Sequence, residues 1–223
     1  MVHKNIPNSD NNIKTTFEKV YAENRWPKGG GSGPGSEAEY TCLVRPWLID
    51  IIKRYSVQTF VDTSCGAMVW QRLMLERTVD VQFIGIDVAE TLIDKLNQEF
   101  KGCNNINFLA MNSASNTCVF PPSDLIMTRH TMMHLSMHDA KQLLSNLIHS
   151  GARYLIASTH EHLVNNPTSD TGVPLVDSAT GGYVWRPMNL MLPPFNLGEP
   201  DEKVDDSGGS FENKGLALGM WKL

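Results

Sequence analysis

The stretch from Thr59 to Asp87, TFVDTSCGAMVWQRLMLERTVDVQFIGID, limits the fold more than any other part of the chain. A β-favouring run, Phe60-Val61, ends in Asp62, and a turn of small residues follows. A helical stretch from Val69 to Glu76 then leads into a second strand, Val81 to Ile86, which ends in Asp87. Strand, tight turn, helix and strand make a right-handed βαβ unit. Both acids then stand at the carboxyl edge of a parallel sheet, where such folds bind ligands.

The same alternation continues downstream. Thr91 to Phe100 reads as a helix, Ile106 to Leu109 and Asp124 to Thr128 as strands, and Ser136 as the cap of a helix running to about His149. Tyr154 to Ala157 is a fifth strand, and the tail Gly215 to Leu223 suits an antiparallel strand at the sheet's edge. The expected fold class is therefore α/β, a Rossmann-like, doubly wound and mostly parallel sheet in a single domain, residues 15–223. Residues 1–14 are polar and aperiodic, as in a disordered leader. Residues 15–56 suggest a helical lid: a helix from Thr15 to Asn24, a glycine-rich run from Gly29 to Ser36, and a second helix capped by Ser36 with a stripe of Leu43, Trp47, Leu48, Ile51 and Ile52. Residues 57–158 form the cofactor-binding core. Residues 159–223, broken by Gly172, Gly181-Gly182 and Pro193-Pro194, read as an acceptor-binding insertion with final strands.

Composition excludes several partners. The formal net charge of −5 offers no general attraction for nucleic-acid phosphate or an anionic membrane. No apolar run is long enough to span a bilayer. The four cysteines stand singly, without a Cys-x-x-Cys pair, so a reducing cytoplasm is the expected location.

The cofactor follows from what the first turn lacks. A dinucleotide site needs G-x-G-x-x-G so that backbone can approach a pyrophosphate, but after Asp62 the chain reads Thr-Ser-Cys-Gly-Ala-Met, with Gly66 alone. A cofactor without phosphates makes no such demand, and S-adenosylmethionine is one.

On these residues the chain resembles the class I S-adenosylmethionine-dependent methyltransferases. The resemblance implies that Asp62, Cys65 and Gly66 lie against the methionine part of the cofactor, that Asp87 holds the ribose hydroxyls, and that Asn112 meets the adenine. Val88, Ser113 and Arg129, which adjoin those positions and the fourth strand, join the cofactor set. Two of the three glycines usual in the first motif are replaced by Ser64 and Met68. A narrower resemblance, to small glycan O-methyltransferases found alone or fused to glycosyltransferases in bacteria and large viruses, rests on Tyr21-x-x-Asn24-x-Trp26, Gly33-Pro34-Gly35-Ser36, Thr41 with Arg45-Pro46, Thr128-Arg129-His130 through His134-Leu135-Ser136, and Ser158-Thr159-His160. It implies a sugar or glycan acceptor, a terminal deoxyhexose such as rhamnose or fucose among them, a glycosyltransferase as partner or parent chain, and the host cytoplasm if the chain is viral.

Methyl transfer to oxygen is an in-line displacement that needs a base for a weakly acidic hydroxyl. His130, directly after a buried strand, is the first candidate and His160 the second. Tyr21, Trp26, Ser32, Gly33 and Ser36 would close over the cofactor. Arg45 would reach its carboxylate or form a salt bridge. The acceptor would meet His134, Glu161, Asn166, Tyr183, Trp185, Arg186 and Asn189, which combine flat rings with hydrogen-bonding groups. His130-x-x-x-His134 has metal-ligand spacing only on one helix, and a helix capped by Ser136 leaves both in a loop; no metal ligand is assigned, and a divalent cation acidifying vicinal hydroxyls stays the alternative. Another small-molecule or protein methyltransferase, or a cofactor-binding module without catalysis, also fits these motifs.

Overall fold

Strand β1 (Thr59–Asp62) is buried along almost its whole length, because alternate residues feed two different cores. Phe60 joins one layer with Phe83, Leu125 and Met127, while Val61 joins the other with Ile86, Ile126 and Leu155. A strand covered on both faces needs helices on both faces, which is the doubly wound arrangement. The computed structural model describes residues 9–165, 186–209 and 214–223.

Seven strands form one sheet. Besides β1 they are β2 (Gln82–Asp87), β3 (Ile106–Ala110), β4 (Leu125–Thr128), β5 (Tyr154–His160), β6 (Glu202–Asp205) and β7 (Leu216–Lys222), in the order β3-β2-β1-β4-β5-β7-β6. The first five run parallel. β7 is antiparallel to both β5 and β6. The antiparallel C-terminal strand therefore forms as expected, but it does not end the sheet, since β6 pairs outside it. EKVD, with charged residues flanking one valine, carries the pattern of a solvated edge and no apolar run, so it reads as a loop in sequence.

Helices α2 (Val44–Arg54), α3 (Gln71–Leu75) and α4 (Glu90–Glu99) cover the first layer. α5 (Met137–Ile148) covers the other, together with Ile13 of α1 (Ser9–Ala22). Ser136 caps α5 as its sequence predicts: its Oγ accepts from the Asp139 N–H at 3.0 Å and donates to the Asp139 carboxylate at 2.7 Å. Two boundaries differ from expectation. α1 begins at Ser9, well before Thr15, and its Lys14 and Glu18 side chains engage Glu90 and Thr91 at the start of α4. α2 begins only at Val44, because Pro34–Ser36 is a 3-10 turn and Ser36 Oγ points back to the Ser32 carbonyl instead of capping a helix. Leu43 is consequently exposed, while Leu48, Ile51 and Ile52 are buried as the stripe predicts. Among the described residues, no helix is long and apolar enough to cross a membrane.

Strand order reverses between β1 and β4. The carboxyl ends of these two neighbours, from which successive connections depart in opposite directions, leave a crevice that this fold cannot fill with its own backbone.

Candidate active site

A cavity of about 230 Å³ opens at that crevice. Its floor is made by the segments leaving four parallel strands: Asp62 to Gly66 after β1, Asp87 and Val88 after β2, Asn112 and Ser113 after β3, and Arg129 to Thr131 after β4. Its roof comes from the N-terminal region, with Phe17 and Tyr21 of α1, Trp26, and Ser32 to Ser36. Residues that were singled out from motifs far apart in sequence thus face one space.

The two strand-end acids are buried and, among the described residues, neither is in an ion pair. Asp62 accepts from the Ser64 N–H at 3.2 Å and from Gln71 Nε2 at 3.0 Å. Asp87 accepts from the Gly66 N–H at 3.2 Å and from the Ala89 N–H at 3.0 Å. These bonds only partly replace lost hydration. Burial pushes each carboxyl up to about 6, against the opposing pull of those donors. Beyond them, Asn112 Oδ1 accepts from the Ala114 N–H at 3.0 Å, and Ser113 Oγ donates to the Thr63 carbonyl at 3.0 Å, tying the turn after β3 to the turn after β1.

The roof is fastened to the floor at one glycine. Ser32 Oγ accepts from the Ala67 N–H at 2.8 Å and lies 3.2 Å from the Tyr21 hydroxyl. Gly66 has a φ of +55°, and a Cβ there would stand 2.5 Å from Ser32 Oγ. The single glycine kept in the turn therefore serves a left-handed backbone and the docking of the roof, not a pyrophosphate. Farther along, the Trp26 ring packs on His134 with centroids 4.9 Å apart and meets Phe17 edge-on at 6.1 Å.

After β4 the chain turns through His130, a non-glycine residue held at φ +55°. Its N–H donates to Ser158 Oγ at 3.0 Å, and its Nε2 lies 2.9 Å from the carboxylate of Asp206. Burial, with help from the Arg129 charge, lowers the imidazole's pKa below its ordinary value despite Asp206, which favours the neutral ring. Asp206 is fully buried. Burial alone would raise its pKa, but Arg129 and His130 outweigh it and hold the carboxyl below its ordinary range. Arg129 lines the cavity as well, yet its nitrogens are taken by the protein: Nη2 reaches Asp206 at 2.6 Å, Nη1 donates to the Gly35 carbonyl at 2.8 Å, and the guanidinium lies over the Trp70 ring.

Other expected site residues lie elsewhere. Arg45 does not reach the cavity, because Nη2 is bound to the Ala38 carbonyl at 3.0 Å. His160 is a strand residue of β5 whose Nδ1 accepts from the Met188 N–H at 3.1 Å; burial pushes it down to about 4 and it is absent from the cavity lining, so it is not placed to act as a base there. Glu161 pairs with Lys203 on the surface. Arg186 donates to the Leu135 carbonyl at 3.0 Å, and Asn189 donates to the Leu163 carbonyl at 3.1 Å, so both act as staples of the late segment and not as cavity walls. Asn166, Tyr183 and Trp185 lie outside the described residues. Among the described residues, no group of three or more His, Cys, Asp or Glu is positioned to hold a metal ion. Asp206 and Gln71 were not anticipated. Gln71 carries a signal, an amide at the first position of α3 nine residues after the strand-end acid, whereas Asp206 sits in an acidic, glycine-rich run that resembles any solvated loop.

No protein-family model matches the chain, and no curated protein matches it in sequence. Solved structures match its fold. The N-methyltransferase NodS from Bradyrhizobium japonicum, in complex with S-adenosyl-L-homocysteine, aligns over 95% of this chain and 98% of its own with a TM-score of 0.63 at 15% identity. The methyltransferase domain of a bacterial Hen1 aligns over 82% and 98% with a TM-score of 0.56 at 14% identity. Human N-acetylserotonin methyltransferase, in complex with S-adenosylmethionine, aligns over 88% and 56% with a TM-score of 0.56 at 10% identity. The fold is that of the Rossmann-like methyltransferases.

The docking of the roof predicts that Gly66→Ala destabilises the protein by roughly 1–3 kcal/mol through left-handed strain and the clash with Ser32. Urea denaturation measures it. An unchanged midpoint would mean that Ser32 is not fixed on this turn.

Proposed function

We propose that the chain is an S-adenosylmethionine-dependent O-methyltransferase acting on a hydroxyl of a sugar or glycan, a terminal deoxyhexose such as rhamnose or fucose among its acceptors, with His130 as general base. The observation that carries this reading is that His130, a half-buried histidine beside the Asp206 carboxylate, lines the same cavity as Asp62, Asp87 and Asn112. A partner or parent glycosyltransferase and a cytoplasmic setting belong to the same reading.

The cavity suits the cofactor on its own chemistry. Two buried carboxylates outside any ion pair, among the described residues, gain from a ligand that brings hydroxyl and ammonium donors to them. Asp87, at the end of β2, would accept from the ribose hydroxyls. Asn112 would meet the adenine, and Asp62 with the Cys65–Gly66 turn would lie against the methionine part. Tyr21, Trp26 and Ser32 to Ser36 would exclude water above them. S-adenosylmethionine supplies an electrophilic methyl group on a positively charged sulfur. His130 would hold the acceptor hydroxyl and take its proton as the oxygen attacks, with His134 beside it on the acceptor side. A neutral imidazole is the form this role requires, and burial favours it. The late segment residues Asn166, Tyr183 and Trp185 remain candidates for the acceptor's far end.

Because Asp87 must be ionised to accept hydroxyl hydrogen bonds, ligand binding should favour its charged form and pull its pKa below the ligand-free value of about 6. The affinity for S-adenosylhomocysteine is therefore expected to hold above pH 7 and to fall as pH drops through 6 toward 5. Asp87→Asn should weaken binding and leave only the part of this dependence that Asp62, also raised to about 6, carries. Calorimetry at several pH values checks it, and an affinity that does not change between pH 7.5 and 5 would contradict the assignment.

His130→Ala should lower methyl transfer to sugars about 10²–10⁴-fold while S-adenosylhomocysteine still binds. Full turnover in that variant would remove His130 as the base. Cofactor binding without transfer by the unaltered protein would favour a non-catalytic module.

A further inference from the structure

We infer that Asp206 is a positioning residue for His130, fixing its imidazole as the Nε2–H tautomer and leaving Nδ1 as the nitrogen that takes the acceptor's proton. The inference rests on the reading of His130 as base and says how that base is prepared.

Asp206 belongs to the connection between β6 and β7, where its N–H donates to the Leu216 carbonyl at 3.0 Å. Its side chain has no exposure to solvent. The carboxylate meets the Arg129 guanidinium through Nε at 3.1 and 3.0 Å and Nη2 at 2.6 Å, and meets His130 Nε2 at 2.9 Å. Arginine stays protonated, so a carboxylate bound to it this closely is ionised and can only accept. Nε2 lies 2.9 Å from this carboxylate but off the line of its N–H, so the contact is electrostatic; beside an ionised oxygen the ring favours the hydrogen on Nε2, since a lone pair there would face negative charge. In a neutral ring the lone pair then belongs to Nδ1.

The Nδ1 edge faces Gly35. A Cβ at that position would stand 2.4 Å from Nδ1 and 2.8 Å from Cε1, filling the space that a hydroxyl at hydrogen-bonding distance would need. Gly35 and His130 both line the cavity, and a side chain at position 35 would cover this edge. The same carboxylate governs the position of Gly35, because Arg129, fixed by Asp206, donates to the Gly35 carbonyl. One buried charge thus selects the basic nitrogen and holds the backbone that leaves room beside it.

Asp206→Asn separates this role from simple stability. Arg129 would keep the amide oxygen as its acceptor, which turns the amide NH₂ toward His130 Nε2. Donor would then face donor unless the imidazole changes to the Nδ1–H tautomer, which leaves no lone pair at Nδ1. A carboxylate-to-amide change beside a catalytic histidine has this consequence in the serine protease triad, where the wrong tautomer costs about 10⁴-fold.

The test is long-range ¹H–¹⁵N NMR of the histidine rings at pH 7.5 in the full chain saturated with S-adenosylhomocysteine, with His130 assigned by the signal that His130→Gln removes. Nε2–H with a bare Nδ1 is expected in the unaltered protein. Asp206→Asn should show Nδ1–H, bind S-adenosylhomocysteine within threefold of the unaltered protein, and lose at least about 100-fold in methyl transfer. An Nδ1–H signal in the unaltered protein overturns the inference, even if Asp206→Asn fails to fold. So does an unchanged tautomer or full turnover in a folded Asp206→Asn. Loss of turnover in His130→Ala together with full turnover in Asp206→Asn removes the role of Asp206 and leaves the base standing. Full turnover in His130→Ala removes the base itself.

Discussion

The buried carboxylate of Asp206 ties together three parts of the chain. Arg129 and His130 leave β4, Gly35 belongs to the N-terminal roof, and Asp206 itself leaves β6. Arg129 and Asp206 are taken out of water, and each answers the other's charge. Removing one member of such a set leaves an uncompensated buried charge, which costs on the order of 3–5 kcal/mol. The roof, the strand-end turn and the last hairpin therefore share one buried charge, and a substitution that keeps its hydrogen bonds costs less than one that removes them.

Around that brace the sheet does the remaining positioning. The reversal of strand order between β1 and β4 opens the crevice, and parallel strands deliver Asp62, Asp87 and Asn112 to it from one side. The roof is attached at a second point, where Ser32 rests on Gly66 and the Gly66 N–H donates to Asp87. The turn that touches the acid thus also carries the lid. Closure over the crevice and the setting of the Asp87 carboxylate are mechanically linked through one residue without a side chain.

Much of this is legible in sequence because it is local. Apolar strands ending in Asp62 and Asp87, a serine cap at Ser136, and a histidine directly after a buried strand are short-range patterns, and the structure brings these residues to one cavity or one cap. What stays hidden depends on distant pairing. Asp206 lies 77 residues from Arg129, in a stretch whose acids and glycines look like solvated loop. β6 becomes a strand only because β7 offers it an edge, with Arg54 and Tyr55 of the α2 end fastening Glu202. His160 looks catalytic in a motif, but β5 runs on through it and Met188 takes its Nδ1. Ser36 has the chemistry of a helix cap, yet the neighbouring Pro34 and two glycines turn the backbone too tightly for a helix to begin there.

The central claim is transfer of a methyl group to a sugar hydroxyl within this cavity. Mass spectrometry of candidate deoxyhexose-bearing glycans incubated with the protein and isotope-labelled S-adenosylmethionine, with and without a chelator, tests it most directly. The account predicts a product heavier by one labelled methyl on oxygen, and the chelator arm decides whether a divalent cation assists. Methylation of nitrogen or of a protein side chain, with every glycan left unchanged, would contradict it.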